Sequence, residues 1–276
     1  MIKRLEINQK IIIKTYFRTT TSTLSLLGLV ATFFNIELYN NRVATNILIL
    51  LLLFITIYIF AIIYVIGNSK KNIFRSVTNK DLNIKYADLF KGKSKIRVIA
   101  VNRCFDTVVD DKIISSKSVH GLFIKNEISN MSIRELDMAI DESLLQQGIE
   151  GTSCEEKKDG KTVRYPTGTV AEVKYGDHIY YLLGLTKFDS NNNASCTIEE
   201  YSHSLIKLME YYDNHGQGHD MDIPLIGSGI ARMHIKSSDL LKYMISLIKV
   251  NQDKMLGNIN IIIHTSQRDG ISIQEL

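Results

Sequence analysis

The chain has 276 residues and a net charge of +4, but the charge is unevenly placed. Residues 1–80 hold ten Lys/Arg against Glu6 and Glu37, a balance of +8, and residues 81–276 carry −4. The larger part is therefore mildly acidic, which argues against a nucleic-acid surface, and three widely spaced cysteines without a Cys-x-x-Cys argue against a zinc framework or a disulfide set.

The N-terminal part reads as membrane-bound. Lys3, Arg4, Lys10, Lys14 and Arg18 make residues 1–18 a basic cytoplasmic arm, in which residues 5–17 read either as an interfacial helix on the inner leaflet or as a solvated arm. Leu24 to Ile36 is apolar apart from Ser25, Thr32 and Asn35; with Thr19 to Thr23 and Glu37-Leu38 it extends to a first span, 19–38, because threonine hydroxyls bond back to their own helix. Ile47 to Ile66 is twenty residues without a formal charge, about 30 Å of helix and enough for a bilayer core. Together these predict a two-helix transmembrane hairpin over 19–66. Lys70, Lys71, Arg75 and Lys80 follow it and only Arg42 lies in its loop, so both termini face the cytoplasm in a multi-pass cell-membrane protein. Residues 67–80 read as a polar linker.

From residue 81 onward strands and helices interleave. Asn83 to Ala87 and Ile96 to Val101 read as strands, the second near-continuously apolar, as in a central strand. Ser118 to Asn126 opens a helix. Ser132 caps the next helix with Glu135 three residues on, and Ile133, Leu136, Ile140 and Leu144 form its apolar stripe. Residues 148–160 read as a polar loop. Thr169 to Lys174 and His178 to Gly184 form a hairpin turned at Tyr175-Gly176-Asp177. Thr197 with Glu200 caps a helix ending at His215-Gly216; Met221 to Ile226 is a strand, a helix starts near Ser237, and Asn258 to His264 is the last strand. The pattern predicts a layered α/β domain over 81–276 with helices on both sheet faces.

The glycine-framed turn Pro224-Leu225-Ile226-Gly227-Ser228-Gly229-Ile230-Ala231-Arg232 is the feature most suggestive of a ligand. Two missing Cβ atoms let main-chain amides approach an anion at a strand end. Neither a dinucleotide fingerprint nor a Walker loop fits it. His215 and His219, with Asp220 and Asp222, have a loose metal-like spacing that Gly216 and Gly218 take off a helix. Asp106 with Asp110 and Asp111 reads as a hydrolytic acid pair or as a solvated turn. Cys104 reads as a strand-end filler.

The order Ala87-Asp88-Leu89-Phe90, Val101-Asn102, Ser118-Val119-His120-Gly121 and Pro224 to Arg232 resembles a macro domain, the ADP-ribose-binding α/β/α module. The resemblance implies a three-layer α/β/α macro-like domain in which Asp88 accepts from the adenine amino group and Asn102 lines the distal ribose. The backbones of Ser118, Val119, His120 and Gly121, and of Gly227, Ser228, Gly229 and Ile230, would cradle the diphosphate. Beside the resemblance, Arg103 and Arg232 read either as partners of a further acidic group on the ligand or as surface charge, Asp106 next to Asn102 either as a ligand contact or as a turn residue, and no metal or other cofactor is expected. Three departures mark the chain as divergent: the first loop lacks a triple glycine, Val-Asn continues as Arg103-Cys104-Phe105-Asp106-Thr107, and Ala231-Arg232 follows the second loop.

A two-span anchor joined to such a domain is similar to the membrane effectors of the ThsA family in type II Thoeris antiphage defence. That resemblance implies an ADP-ribose-derived messenger made from NAD by a partner TIR-domain enzyme, homo-oligomeric assembly with a tetramer as one arrangement, and damage to the lipid bilayer. The alternative function is a membrane-tethered ADP-ribosyl hydrolase.

Overall fold

The computed structural model describes residues 2–33, 43–68, 71–155, 157–189, 193–227 and 235–273. The chain divides into two compact units, residues 1–72 with 266–276, and residues 73–265.

The first unit is built on helices α1 (Ile2–Ile7), α2 (Gln9–Phe33) and α3 (Val43–Asn68). Of the two readings of residues 5–17 the helical one matches, apart from a turn at Asn8, and α2 runs without a break into the first expected span. The end of that span and most of the loop after it lie outside the described residues. Ile57, Ala61 and Val65 recur at every fourth position of α3 and are buried, and Tyr58 meets Tyr16 edge-on at 5.5 Å, so one stripe of α3 packs on α2. The rest of α3, including Leu51, Ile55, Ile59 and Ile63, stays exposed. Among the described residues one helix, Asn46–Gly67, is long and apolar enough to cross a membrane. On α2, Thr19, Thr21 and Ser22 donate to carbonyls four residues back, the local bonding expected of these hydroxyls in a helix. Residues 266–273, read as part of the α/β domain, group with this helical unit, where Ser272 meets Asn8 at 2.7 Å.

The second unit carries strands β1 (Lys71–Arg75), β2 (Asp81–Tyr86), β3 (Ile96–Asn102), β4 (Thr152–Ser153), β5 (Val163–Arg164), β6 (Val170–Tyr175), β7 (His178–Phe188), β8 (Ala194–Ser195), β9 (Met221–Pro224) and β10 (Ile259–Ile263). Its helices are α4 (Val119–Leu122), continued by a wide turn over 123–127, α5 (Ile133–Gln146), α6 (Ile198–His215) and α7 (Ser237–Val250). The main sheet has the order β1-β2-β10-β9-β3-β7-β6, and β4 pairs with β5 as a separate flap. Strands β2, β10, β9, β3 and β7 are mutually parallel; β6 turns back antiparallel on β7. β1 lies in the segment read as a linker, where basic and polar residues hide an edge strand.

Both capping boxes form: Ser132 with Glu135 starts α5, and Thr197 with Glu200 starts α6, each cap stabilising its helix by about 1 kcal/mol. Strand alternation then sorts the core. Ile99, Val101, Tyr180 and Leu182 face Leu136, Ile140 and Leu144 of α5. The opposite face presents Tyr181, whose ring meets Tyr211 of α6 edge-on at 5.0 Å, and α7 packs beside α6. The result is the expected α/β/α layering.

One feature of the sheet was not expected. Asp222 lies inside β9 with no exposed surface. Its Oδ1 accepts from Ser94 Oγ at 2.6 Å and from Asn260 Nδ2 at 2.7 Å, and Asn83 Nδ2 donates to Asn260 Oδ1 at 3.0 Å. A buried polar seam therefore crosses β2, β10 and β9, although Asp222 Oδ2 and Asn83 Oδ1 have no hydrogen-bond partner in it.

Candidate functional site

The carboxyl ends of the parallel strands lie along one edge of the sheet, where crevices form if neighbouring strands part. They part between β3 and β9. The two pair only at Ile96–Met221 and Arg97–Asp222; beyond that β3 continues on β7 as far as Asn102, while β9 stays on β10. The loops leaving this edge carry the residues singled out from the sequence.

After β2, Asp88 caps a single helical turn, its Oδ1 accepting from Phe90 N at 3.0 Å. Its Oδ2 has only Lys91 nearby, at 4.0 Å, and the side chain is 39% exposed, so one carboxylate oxygen is open to a ligand. At the end of β3, Asn102 is buried and accepts from Cys104 N at 3.0 Å through Oδ1. Phe105 follows with φ of 51°, a left-handed conformation rarely tolerated by a bulky residue, closed by its N–H bond to Asn102 O at 2.9 Å.

The loop to α4 is shaped for close approach. Ser118 caps α4 and accepts from Gly121 N at 2.9 Å. Gly121 is there because any Cβ would stand 2.2 Å from Ser115 O. His120 is buried, and that burial pushes its imidazole down to about 3, so it is neutral and not a cation. Val119 is partly exposed beside it. On the other side of the split, Gly227 takes φ of 86° two residues past Leu225, which opens the second loop. Ser228, Gly229, Ile230 and Arg232 lie outside the described residues.

Two of the expected contacts are spent on the protein itself. Arg103 donates through Nε to Tyr165 O at 2.9 Å and lies 3.6 Å from Glu200. Asp106 is buried; its Oδ2 pairs with Lys157 Nζ and its Oδ1 accepts from Lys161 N at 2.7 Å. The aspartates next to it do not join it. Asp110 accepts from Lys112 N and Ile113 N, and Asp111 from Ser116 N, so each holds its own turn and sits below the usual carboxylate range because of those backbone bonds. Burial raises the Cys104 thiol and pushes that of Cys196 up to about 12, which keeps both protonated and unreactive. The imidazole of His215 stacks on Tyr211 at 4.1 Å, Asp220 binds Asn258 and Asp222 belongs to the seam; among the described residues no three His, Cys, Asp or Glu converge on a metal position.

A cavity of about 420 Å³ opens beside the β3 turn, walled by Cys104, Phe105, Ile140, Lys161, Val163 and Tyr165. One side of it is formed by residues 161–163 and 165, which run through β5 just after the loop read as polar over 148–160. Lys161 and Tyr165, which line the cavity, were not singled out from the sequence, nor were Lys157 and Asp137, which hold Asp106 and Lys161. The available signal was a lysine-rich stretch closed by Asp159-Gly160, which reads equally well as a solvated turn.

A family model described as "Thoeris protein ThsA, Macro domain" matches residues 82–264, the whole of the parallel sheet and both candidate loops. The chain belongs to the ThsA macro-domain family. A Thoeris protein ThsA from Bacillus amyloliquefaciens (strain Y2) is 30% identical over 212 residues, which are 74% of this chain and 69% of that protein. Among solved structures, a mutant macrodomain of Oceanobacillus iheyensis with ADPR aligns at 14% identity and a TM-score of 0.49, covering 72% of this chain and 92% of that one. Thermosipho africanus DarTG in complex with ADP-ribose aligns at 13% and 0.43, covering 69% and 43%. Membership of the ThsA family ties the chain to Thoeris antiphage defence and makes its α/β unit a macro domain.

Proposed function

We propose that the macro domain binds an ADP-ribose derivative across the carboxyl edge of its sheet, and that binding turns a resting membrane protein into an assembled, membrane-damaging one. The parting of β3 and β9 carries the binding half, because it opens a crevice between the loops of the two expected phosphate cradles. Strand order gives the ligand a direction. Asp88 leaves β2 and Asn102 ends β3, three strand spacings away, or roughly 14 Å. Adenine at Asp88 and a distal ribose at Asn102 put the diphosphate over the ends of β10 and β9, where the Gly227 to Ile230 loop begins. Main-chain amides there and at Ser118 to Gly121 take up its charge.

Asp106 supports sensing over hydrolysis. A general base needs a free lone pair and a path to water, and both oxygens of this buried carboxylate are engaged.

The messenger comes from a TIR-domain enzyme acting on NAD. In the bilayer, α3 is one span and α2 with the residues after it the other, both termini on the cytoplasmic side. Several copies, four in the simplest arrangement, assemble when the ligand is bound. Moving the population from 1:99 to 99:1 requires the ligand to favour the assembled state by about 5.5 kcal/mol.

Calorimetry of the full chain in detergent with ADP-ribose tests the binding half. Asp88→Ala and Gly229→Glu should each abolish the heat and the toxicity in cells while leaving membrane insertion intact. Wild-type heat retained in Asp88→Ala, or toxicity retained in both, would falsify the proposal. Release of ADP-ribose from a modified protein by the wild-type chain would restore the hydrolase reading.

A further inference from the structure

Lys157 and Asp106 form a fully buried ion pair across 51 residues of sequence, at the point where β3 ends. A pair of this kind is a poor source of stability, since desolvation cancels most of its attraction and well-packed apolar residues usually do as well. What it does provide is geometry, and the geometry here is specific. Lys157 Nζ also donates to Lys161 O at 2.7 Å, while Asp106 Oδ1 accepts from Lys161 N at 2.7 Å. The two side chains therefore clamp both the N–H and the C=O of one flap residue. A second tie repeats the connection: Lys161 Nζ pairs with Asp137 at 2.6 Å, and Asp137 accepts from Thr107 Oγ1 at 2.8 Å. Gly160, with φ of 80°, fits against the clamp because a Cβ there would lie 2.2 Å from Asp106 Oδ1.

The turn being clamped is the one that sets Asn102. Phe105 is held at positive φ, its ring is buried 5.6 Å from that of Tyr165, and its neighbour Asp106 is fixed by the flap. Backbone in this region relaxes unless its surroundings over-determine it. We infer that Lys157 is a positioning residue: through Asp106 it locks the Asn102–Thr107 turn and the β4–β5 flap into the shape that receives the far end of the ligand. This rests on the binding reading above and adds to it a residue that makes no ligand contact.

The clamp lies at the β3 end, three strands from Asp88, so its loss should be felt by the distal ribose and not by the adenosine diphosphate portion. Full-length chain in detergent is titrated with ADP-ribose and, by competition, with ADP. Lys157→Met is expected to raise the Kd for ADP-ribose at least tenfold and to leave that for ADP within twofold. Because the single variant strands a buried carboxylate, which can prevent folding, Asp106→Leu/Lys157→Met is measured beside it. That double variant recovers part of the melting temperature lost in the single variant but keeps the tenfold loss, since Lys161 N still lacks its acceptor. Wild-type affinity for ADP-ribose in the double variant overturns the inference, as does a parallel fall for both ligands. If the wild-type chain binds neither nucleotide, the binding reading fails first and the inference with it.

Discussion

Arg97 of β3 stands in register opposite Asp222 of β9, and this is the last pairing the two strands make before they part. The two take different partners. Arg97 reaches Glu127 at 3.1 Å and Gly92 O at 2.8 Å, while Asp222 takes Ser94 and Asn260. A strand pair that ends on two buried polar side chains, each tied to different partners, has a fixed point of divergence. The seam thus sets where the crevice begins, several residues below the loops that would use it.

Removing the acid should therefore be costly. Asp222→Ala leaves the Ser94 hydroxyl and the Asn260 amide without their shared acceptor, and destabilises the macro domain by about 3 kcal/mol. Asp222→Asn keeps the Oδ1 acceptor and costs about 1 kcal/mol. Denaturant unfolding of the two variants checks the order. Equal losses would mean that packing, and not acceptance, is what Asp222 supplies.

His120 predicts a pH dependence. Its imidazole sits at about 3 in the folded chain against 6.5 for a freely solvated histidine, so below 6.5 the unfolded state binds the proton that the folded state refuses. Stability then falls as pH drops from 6.5 toward 3, by at most about 1.4 kcal/mol per pH unit from this group. His120→Gln, which cannot titrate, should flatten that part of the curve. The check is the urea midpoint measured from pH 7 to pH 4.5 for both chains; identical slopes would remove His120 as the cause.

Gly121 tests the first loop. An alanine Cβ would meet Ser115 O at 2.2 Å, a backbone atom with no rotamer to yield, so the loop must shift. Gly121→Ala is expected to cost about 1–3 kcal/mol and to weaken ADP-ribose binding more than tenfold. Gly176→Ala, at the β6–β7 turn where the space is open but φ of 56° strains an alanine, is the control for a destabilising glycine change far from the ligand. Comparable loss of binding in both would show that the effect is general destabilisation.

Much of this was readable from the sequence where local chemistry decides the structure. Ser132 and Thr197 lie three residues before a glutamate, and those boxes fixed the starts of α5 and α6. Tyr175-Gly176-Asp177 turned the hairpin as expected. The clamp was not readable, because Lys157 sits in a polar loop and finds its carboxylate only when the flap folds onto β3. Asp106 could not be read as a clamp residue for the same reason, and its neighbours Asp110 and Asp111 made an acid cluster look as plausible. Asp222 was hidden differently: one acid in an otherwise apolar strand gives no hint that two asparagines and a serine will reach it. The unbroken course of α2 was missed because charges mark a membrane boundary in sequence but do not end a helix.

The anchor makes the last prediction. Ile59 is half exposed in the middle of α3, while Ala61, two positions on, is fully buried in the same unit. If α3 spans the bilayer, the two positions should respond to different insults. Ile59→Arg places a charge near the centre of the hydrocarbon and costs about 2.5–3.5 kcal/mol of insertion, so a larger share of the chain should be released from membranes by alkaline carbonate. Ala61→Leu adds no charge; it should leave insertion unchanged and disturb only the α2–α3 contact, where Ala61 is fully buried. Crosslinking between cysteines placed at positions 16 and 58, whose rings meet in the wild-type chain, reads that contact directly. Carbonate release unchanged in Ile59→Arg would show that α3 does not lie in lipid, and the membrane half of the proposed function would have to be given up while nucleotide binding by the macro domain stood.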